Sequence, residues 1–193
     1  MGVPNVISWF DDFEAPDNEW RVLSNFYVGE PIHFHLAGVV ALTGEHFFQA
    51  MKARTGVDFR KILASATPGE AKANGRHLLR IRPDWERVKY DVMRVTLGLK
   101  FTLAREEGLR LLATEDALLI EGTHWGDKVW GVALPKDEEH PGAAWASSPG
   151  RNWLGLLLMA RRAELVAELA GAGKFDYAET LDFIRYRPAT PDR

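Results

Sequence analysis

A succession of helical patterns between residues 43 and 170 limits the fold of this chain more than any other feature. Apolar side chains recur there every three or four residues, which is the period of a helix that covers a core with one face. Thr43 and Thr67 each precede such a pattern, and Thr67 is followed by Pro68 and Glu70. A cap threonine, a proline at the first helical position and a glutamate three residues after the cap are typical of a helix start.

Six helices and a few short strands follow from these patterns. The helices are predicted over residues 44–54, 59–64, 68–79, 83–104, 109–113 and 152–170. Asp58 is expected to cap the second helix, and the fourth is expected to be the longest. Strands are predicted over residues 32–36, 39–42, 117–121 and 129–134, the first two as a hairpin, and the first thirty residues are predicted to be loop.

We therefore predict an α+β fold: one helix-dominated domain over residues 1–193 with a small antiparallel or mixed β-sheet. Residues 135–150 form a long charged loop, and a loop of that length in a compact domain is functional or mobile. Residues 171–193 form a C-terminal extension. The last helix carries an apolar face made of Leu154, Leu157, Leu158, Leu165, Val166 and Leu169.

Composition excludes several classes of protein. At 193 residues, with 46% hydrophobic and 26% charged residues, the chain matches one globular domain. No apolar run approaches the roughly 20 residues of a membrane-spanning helix and no export signal opens the chain, so we expect a cytoplasmic protein. The absence of cysteine excludes a thiolate nucleophile and a cysteine zinc site. His33 and His35 alternate without a third ligand, and no cofactor motif is present, so we predict neither metal nor cofactor.

Polar side chains share the apolar faces of two predicted helices. Glu45, Phe48, Gln49 and Lys52 fall on one side of the first helix. Because a buried charge is costly unless it is paired or used, this side is either a solvated face or a wall of a cleft. On the long helix, Trp85, Lys89, Met93, Thr96 and Lys100 recur in the same way, with the lysines either extending to solvent or contacting a phosphate.

Two later segments suit a binding site. Residues 121–131 hold two acids, a histidine and two tryptophans between three glycines, which is either a reactive loop or a glycine turn that covers the core. Residues 150–155 span the start of the last predicted helix. Their backbone N–H groups form either an anion site or a plain helix cap by Asn152.

With these segments in place, the chain resembles the YbiA-like, or NADAR, family. The resemblance rests on the order of six motifs between about Ser24 and Arg162: residues 24–27, 43–52, 68–76, 85–101, 121–131 and 150–162. It implies an N-glycosidase-type hydrolase that cleaves a ribosyl C1′–N bond and needs no metal. The implied substrates are a ribosylamino-pyrimidine phosphate of riboflavin biosynthesis, or ADP-ribose attached to guanine.

The resemblance also implies site residues. Glu45, Lys52 and Asp127 would be catalytic. The substrate-binding residues would be Asn25, Phe26, Phe48, Arg76, Trp85, Lys89, Trp130, Gly131 and Asn152.

The chemistry of C–N cleavage suits these residue types. The transition state resembles an oxocarbenium ion, so it requires nearby negative charge, a water held by a base and a proton for the departing nitrogen. Glu45 or Asp127 can supply the first two, and Lys52 can bind a phosphate, donate a proton or attack an opened sugar. The sequence leaves these roles open.

Two alternatives concern the partner. Removal of ADP-ribose from nucleic acid requires a basic rim, which the net charge of −3 and the acidic residues 137–139 do not favour. A binding module that holds ADP-ribose or NAD without cleaving it would keep the tryptophans yet tolerate the loss of Glu45. We expect a small nucleotide-like substrate or ADP-ribosylated guanine, and no membrane.

Overall fold

The computed structural model describes residues 6–10, 19–34, 38–78, 80–124, 126–133 and 147–184. The strands are β1 (Val6–Phe10), β2 (Ile32–Phe34), β3 (Val39–Ala41), β4 (Leu118–Thr123) and β5 (Val132–Ala133). The helices are α1 (Gly44–Ala50), α2 (Gly56–Leu63), α3 (Pro68–Arg76), α4 (Trp85–Lys100), α5 (Glu106–Leu112), α6 (Trp153–Leu169) and α7 (Ala178–Ile184), with a 3-10 helix at Glu19–Leu23. The helix-dominated α+β fold is confirmed.

The chain divides into two compact units. The first unit holds residues 1–27 and 101–174, and the second holds residues 28–100 and 175–193. Within the described residues, no helix is both long enough and apolar enough to cross a bilayer. At 17 residues α6 is one residue longer than α4, so the expectation that the fourth predicted helix is the longest is wrong.

A parallel sheet forms the centre of the first unit. β4 lies between β1 and β5 and runs parallel to both, with Trp9 opposite Glu121 and Gly122 opposite Val132. The prediction that the first thirty residues are loop is therefore wrong. Ile7, Ser8 and Trp9 are buried one after another, so β1 lacks the alternation that marks a half-exposed strand in the sequence.

α6 packs on β4 and against α5 with a buried stripe that includes Leu154, Leu158 and Leu165. Val166 and Leu169, which were assigned to this apolar face, are 54% and 63% exposed. The buried stripe continues instead through Arg161 and Arg162. Their guanidinium groups have partners inside the unit, and two arginines in a helical repeat do not appear apolar in the sequence.

The second unit is a group of helices with one hairpin. β2 and β3 pair antiparallel as predicted, and Gly38 between them has φ of 62°, a backbone conformation that favours glycine. α1 packs on α2, α3 and α4, while α7 packs on α4. The core beside α1 contains Ala50, Ile62 and Ala71.

Helix ends in the second unit differ from those predicted. α1 ends at Ala50 instead of residue 54, and α3 ends at Arg76 instead of residue 79. α2 begins earlier, because Thr55 is its N-cap: the Thr55 hydroxyl accepts from the Asp58 backbone N–H at 3.1 Å. Asp58 is therefore not the cap. The starts of α1 and α3 at Thr43 and Thr67 are confirmed.

Candidate active site

The N-terminal turn of α1 is fixed by a buried histidine. The Thr43 hydroxyl lies 2.8 Å from Nδ1 of His46, and Nε2 of the same ring lies 3.1 Å from the Ser65 carbonyl oxygen. A carbonyl only accepts, so Nε2 carries the proton and Nδ1 accepts from Thr43. Burial lowers the pKa of His46, which favours this neutral ring. His46 therefore ties the start of α1 to the segment before α3.

Glu45 and Gln49 lie next to each other on α1, one turn apart, and both are buried. They are 6% and 4% exposed, and Gln49 Nε2 donates to Glu45 Oε1 at 2.7 Å. The interpretation of this side as a solvated face is wrong. A carboxyl group in such surroundings is costly to keep charged, which is the situation of many catalytic acids and bases.

The pKa of Glu45 is raised above its ordinary value. Loss of solvent contact is the largest cause, and it outweighs the effects of Lys72, the Gln49 hydrogen bond, Lys52 and Arg76, all of which lower the pKa. The carboxyl group is thus surrounded by three cationic side chains and still binds its proton more tightly than an exposed glutamate does.

Lys52 lies beside two aromatic rings. Its Nζ is 5.4 Å from the centre of the Phe48 ring and 5.6 Å from that of Trp85. The two rings meet edge to face with centres 5.1 Å apart. An ammonium held over the faces of aromatic rings is stabilised by cation–π attraction. α1 and α4 thus bring Phe48, Lys52 and Trp85 together.

α3 contributes two cations, of which the sequence prediction contained one. Arg76 was predicted and is exposed; Lys72, one turn earlier, was missed and is half-buried. Both act on the Glu45 carboxyl group. The spacing of four residues on a helix was the available signal for Lys72. Lys89, also predicted, is paired with Glu86 and lies over the Tyr90 ring. Lys100 is buried, so the interpretation that it extends to solvent is wrong.

In the first unit, Asp127 organises a turn. Its Oδ1 accepts from the backbone N–H groups of Val129 and Trp130, each at 3.0 Å, while its own N–H donates to the Thr123 hydroxyl. One carboxylate oxygen of Asp127 therefore shapes residues 127–131. The catalytic role predicted for Asp127 remains a prediction, and this turn gives the residue a structural role as well.

The start of α6 differs from both predicted interpretations. The backbone N–H groups of residues 151–154 donate to the carbonyl oxygens of residues 128–131, at 3.0 to 3.3 Å, so these four donors do not form an anion site. The Asn152 side chain makes no cap hydrogen bond, because its backbone is left-handed (φ of 49°). It bridges to β4 instead, accepting from Glu121 N–H and donating to the Leu119 carbonyl.

The remaining predicted residues of the first unit are largely buried. Asn25 and Phe26 are 4% and 9% exposed, and the Phe26 N–H donates to the Ser24 hydroxyl at 3.0 Å. Gly131 is buried against β4, where an added Cβ would lie 2.7 Å from the Glu121 carbonyl oxygen. Trp130 is half-buried.

The predicted site residues thus form two groups, each inside one unit. The second unit holds Glu45, Phe48, Lys52, Arg76, Trp85 and Lys89, and the first unit holds Asn25, Phe26, Asp127, Trp130, Gly131 and Asn152. His35, Trp125 and most of the loop 135–150 lie outside the described residues, as does the end of the C-terminal extension. In the described ranges, no three or more histidine, aspartate or glutamate side chains form a group suited to a metal ion.

Comparisons with known proteins assign the chain to a family. The model of the NADAR domain matches residues 12–166. The N-glycosidase YbiA of Escherichia coli (strain K12) is 37% identical over 158 residues, which is 81% of this chain and 89% of the relative. A riboflavin biosynthesis protein of Vibrio vulnificus is 30% identical over 79% of this chain, but the match covers 38% of that longer relative.

A solved structure agrees with these matches. The NMR structure of the E. coli protein YbiA superposes with a TM-score of 0.68 at 31% identity, covering 88% of this chain and 90% of the other. The family match spans most of the chain, and the resemblance seen in the sequence motifs is confirmed. The chain belongs to the NADAR domain family.

Proposed function

We propose that this protein is an N-glycosidase, a hydrolase that cleaves the bond between C1′ of a phosphorylated ribose and a nitrogen. The observation that carries the proposal is the buried Glu45 carboxyl group, hydrogen-bonded by Gln49 at 2.7 Å and surrounded by the charges of Lys52, Lys72 and Arg76. The relatives named N-glycosidases support the same class of reaction.

Glu45 acts on the water in this proposal. As the C1′–N bond breaks, the sugar develops positive charge that a carboxylate stabilises. Glu45 accepts a proton from the water while the water oxygen bonds to C1′. A carboxylate whose pKa lies above the ordinary range is a stronger base than an exposed glutamate, so burial serves this step.

Lys52 and its aromatic neighbours act on the leaving side. The Lys52 ammonium contributes to the charge around Glu45 and lies against Phe48 and Trp85. It can donate a proton or a hydrogen bond to the departing nitrogen, while the rings offer a flat surface for a base. Asp127 is proposed as a second acid. One of its oxygens already accepts two backbone hydrogen bonds in its own turn.

The substrate we propose is a small nucleotide-like molecule with a phosphate on its ribose. Lys72 and Arg76 on α3 are cations beside Glu45 that suit a phosphate group. The riboflavin biosynthesis relative favours a ribosylamino-pyrimidine phosphate. ADP-ribosyl-guanine is the second substrate to compare, since the bond to be broken is of the same kind.

The test is release of free base from both substrates, measured by chromatography for the wild type, Glu45→Gln and Glu106→Gln. Glu106 is an exposed glutamate on α5 and serves as the matched control. We expect the wild type and Glu106→Gln to release base from one substrate, and Glu45→Gln to release at least about 100-fold less.

The outcomes separate the alternatives. Wild-type rates in Glu45→Gln would remove Glu45 from the mechanism. Release from neither substrate, together with tight ADP-ribose binding by calorimetry, would show a binding module instead of an enzyme.

A further inference from the structure

Gln49 is held between two helices, with Glu45 on one side and Gly75 of α3 on the other. Its Nε2 donates to Glu45 Oε1, and its Oε1 is buried without a hydrogen-bond partner among the described residues. A Cβ built on Gly75 would lie 2.1 Å from Gln49 Oε1, 2.9 Å from its Cδ and 3.0 Å from its Cβ. Any residue with a side chain at position 75 would therefore displace the carboxamide.

Backbone conformation does not explain this glycine. Gly75 lies inside α3 and is not among the glycines with positive φ, so alanine fits its backbone. Alanine is also the stronger helix former. The close approach to the Gln49 side chain is the feature of this site that requires the missing Cβ.

We infer that Gly75 and Gln49 are a pair of positioning residues that fix the Glu45 carboxyl group. The inference rests on the N-glycosidase proposed above. Within the described part of the chain, the Gln49 side chain makes no other hydrogen bond that would compete with its donation to Glu45. The hydrogen bond from Gln49 fixes Oε1 of Glu45, and thereby fixes the orientation of the other carboxyl oxygen, Oε2, which we assign to the reaction. Gly75 acts through Gln49.

The experiment uses three variants of the full chain. Gln49→Ala removes the donor, Gly75→Ala pushes it aside, and Gly69→Ala is the matched control. Gly69 lies on the same helix, where an added Cβ would meet nothing closer than the Thr67 hydroxyl at 3.8 Å. For Gln49→Ala and Gly75→Ala we expect kcat/KM to fall about 10- to 100-fold, the range for a reactive group displaced by about 1 Å. Gly69→Ala should match the wild type.

A second measurement follows Glu45 itself. The charged groups that act on it are Lys72 and Arg76 of α3 and Lys52 after α1, and none of them is altered in these variants. Loss of the Gln49 donor removes a group that favours the carboxylate, so the pKa of Glu45 should rise. Carbon-13 NMR titration of the Glu45 carboxyl group and the acidic limb of the rate profile should both move to higher pH.

The double variant tests whether Gly75 works through Gln49. In the Gln49→Ala background two of the three overlaps disappear, leaving the approach to Cβ at 3.0 Å. We expect Gly75→Ala to reduce kcat/KM less than about threefold there, a non-additive result for residues acting as one unit. Full additivity would overturn the inference. If Gly75→Ala does not fold, Gln49→Ala and its titration decide.

The outcomes also separate this inference from the proposed function. An unchanged Glu45 titration in both variants overturns the positioning pair, whether or not the protein hydrolyses either substrate. A shifted titration with an unchanged rate overturns it as well. If the wild type cleaves neither substrate, the N-glycosidase proposal fails, and with it the catalytic purpose of the pair, even where the titration shows the contact.

Discussion

Buried charges occur in both units, and Arg161 and Arg162 of the first unit differ in their surroundings from Glu45 of the second. In the first unit, Arg161 donates to the Phe101 carbonyl and to Glu164 and Glu168 at 2.9 to 3.0 Å. Arg162 donates to Thr114 and to the Ala117 carbonyl. In the second unit, Glu45 receives a hydrogen bond from Gln49, and desolvation raises its pKa.

The difference separates structure from chemistry. The guanidinium groups brace α6 against its neighbours, because each donates to more than one oxygen inside the unit. The glutamate lies where its charged form is disfavoured, and ionisable groups in such places are frequent at functional sites. Burial also shifts the pKa of His46 and of Arg162, which have structural partners. Glu45 is therefore a candidate because its raised pKa occurs together with nearby cations and aromatic rings.

Replacement of Arg161 is expected to have the largest effect on stability. Arg161→Met removes the cation 2.9 Å from Glu168, whose side chain is 5% exposed, and removal of one partner of a buried pair costs about 3–5 kcal/mol of unfolding free energy. Urea denaturation measures this loss. Arg110→Met, in an exposed pair with Glu106, is the control and should lose less than about 1 kcal/mol. Equal losses in the two variants would contradict the structural role of Arg161.

Glu45→Gln should show the opposite balance. Hydrolysis is expected to fall at least about 100-fold, since an amide can neither accept the proton from water nor carry the negative charge. The unfolding free energy at neutral pH should not fall. Steady-state rates and denaturation of the same preparation measure both. A loss of stability comparable to that of Arg161→Met would place Glu45 with the structural charges.

Asp127 stands between the two cases, and a pair of variants divides its roles. Asp127→Asn keeps an oxygen to accept from Val129 and Trp130 but removes the charge, whereas Asp127→Ala removes both. We expect Asp127→Asn to lose activity, about 100-fold if Asp127 is a second acid, with an unchanged melting temperature. Asp127→Ala should also lose about 1–2 kcal/mol of stability. A fully active Asp127→Asn would leave only the structural role.

The smallest expected effect concerns stability against pH. Because the pKa of Glu45 is raised in the folded state, its contribution to stability is present below the pKa of the unfolded chain and is lost as pH rises through the folded pKa. Glutamine does not titrate, so the melting temperature of Glu45→Gln should rise relative to that of the wild type as pH increases above the ordinary pKa of a glutamate. If the melting temperature of Glu45→Gln falls relative to that of the wild type as pH rises, the folded protein stabilises the Glu45 carboxylate, and its cations outweigh burial.

The sequence predicts local features of this fold well and distant ones poorly. Thr43 and Thr67 predict the starts of their helices, because an N-cap residue and its hydrogen-bond partners lie within four residues of each other. β1 was missed because its signal lies in pairing with β4, more than a hundred residues away. Glu45 and Lys52 followed from spacing and resemblance, but the burial of Glu45 did not. The contact of Gln49 with Gly75, and the effect of Lys72 on Glu45, depend on how α3 packs on α1, and local spacing does not reveal that packing.

The four hydrogen bonds between residues 128–131 and residues 151–154 have a consequence for folding cooperativity. The carbonyl groups of the turn that Asp127 shapes accept hydrogen bonds from the backbone N–H groups at the start of α6. Neither segment can therefore fray without breaking bonds to the other. Their amides should exchange with deuterium as one set, at a rate set by joint opening instead of by local exposure. The segment that carries Asp127 should therefore open only together with the first turn of α6.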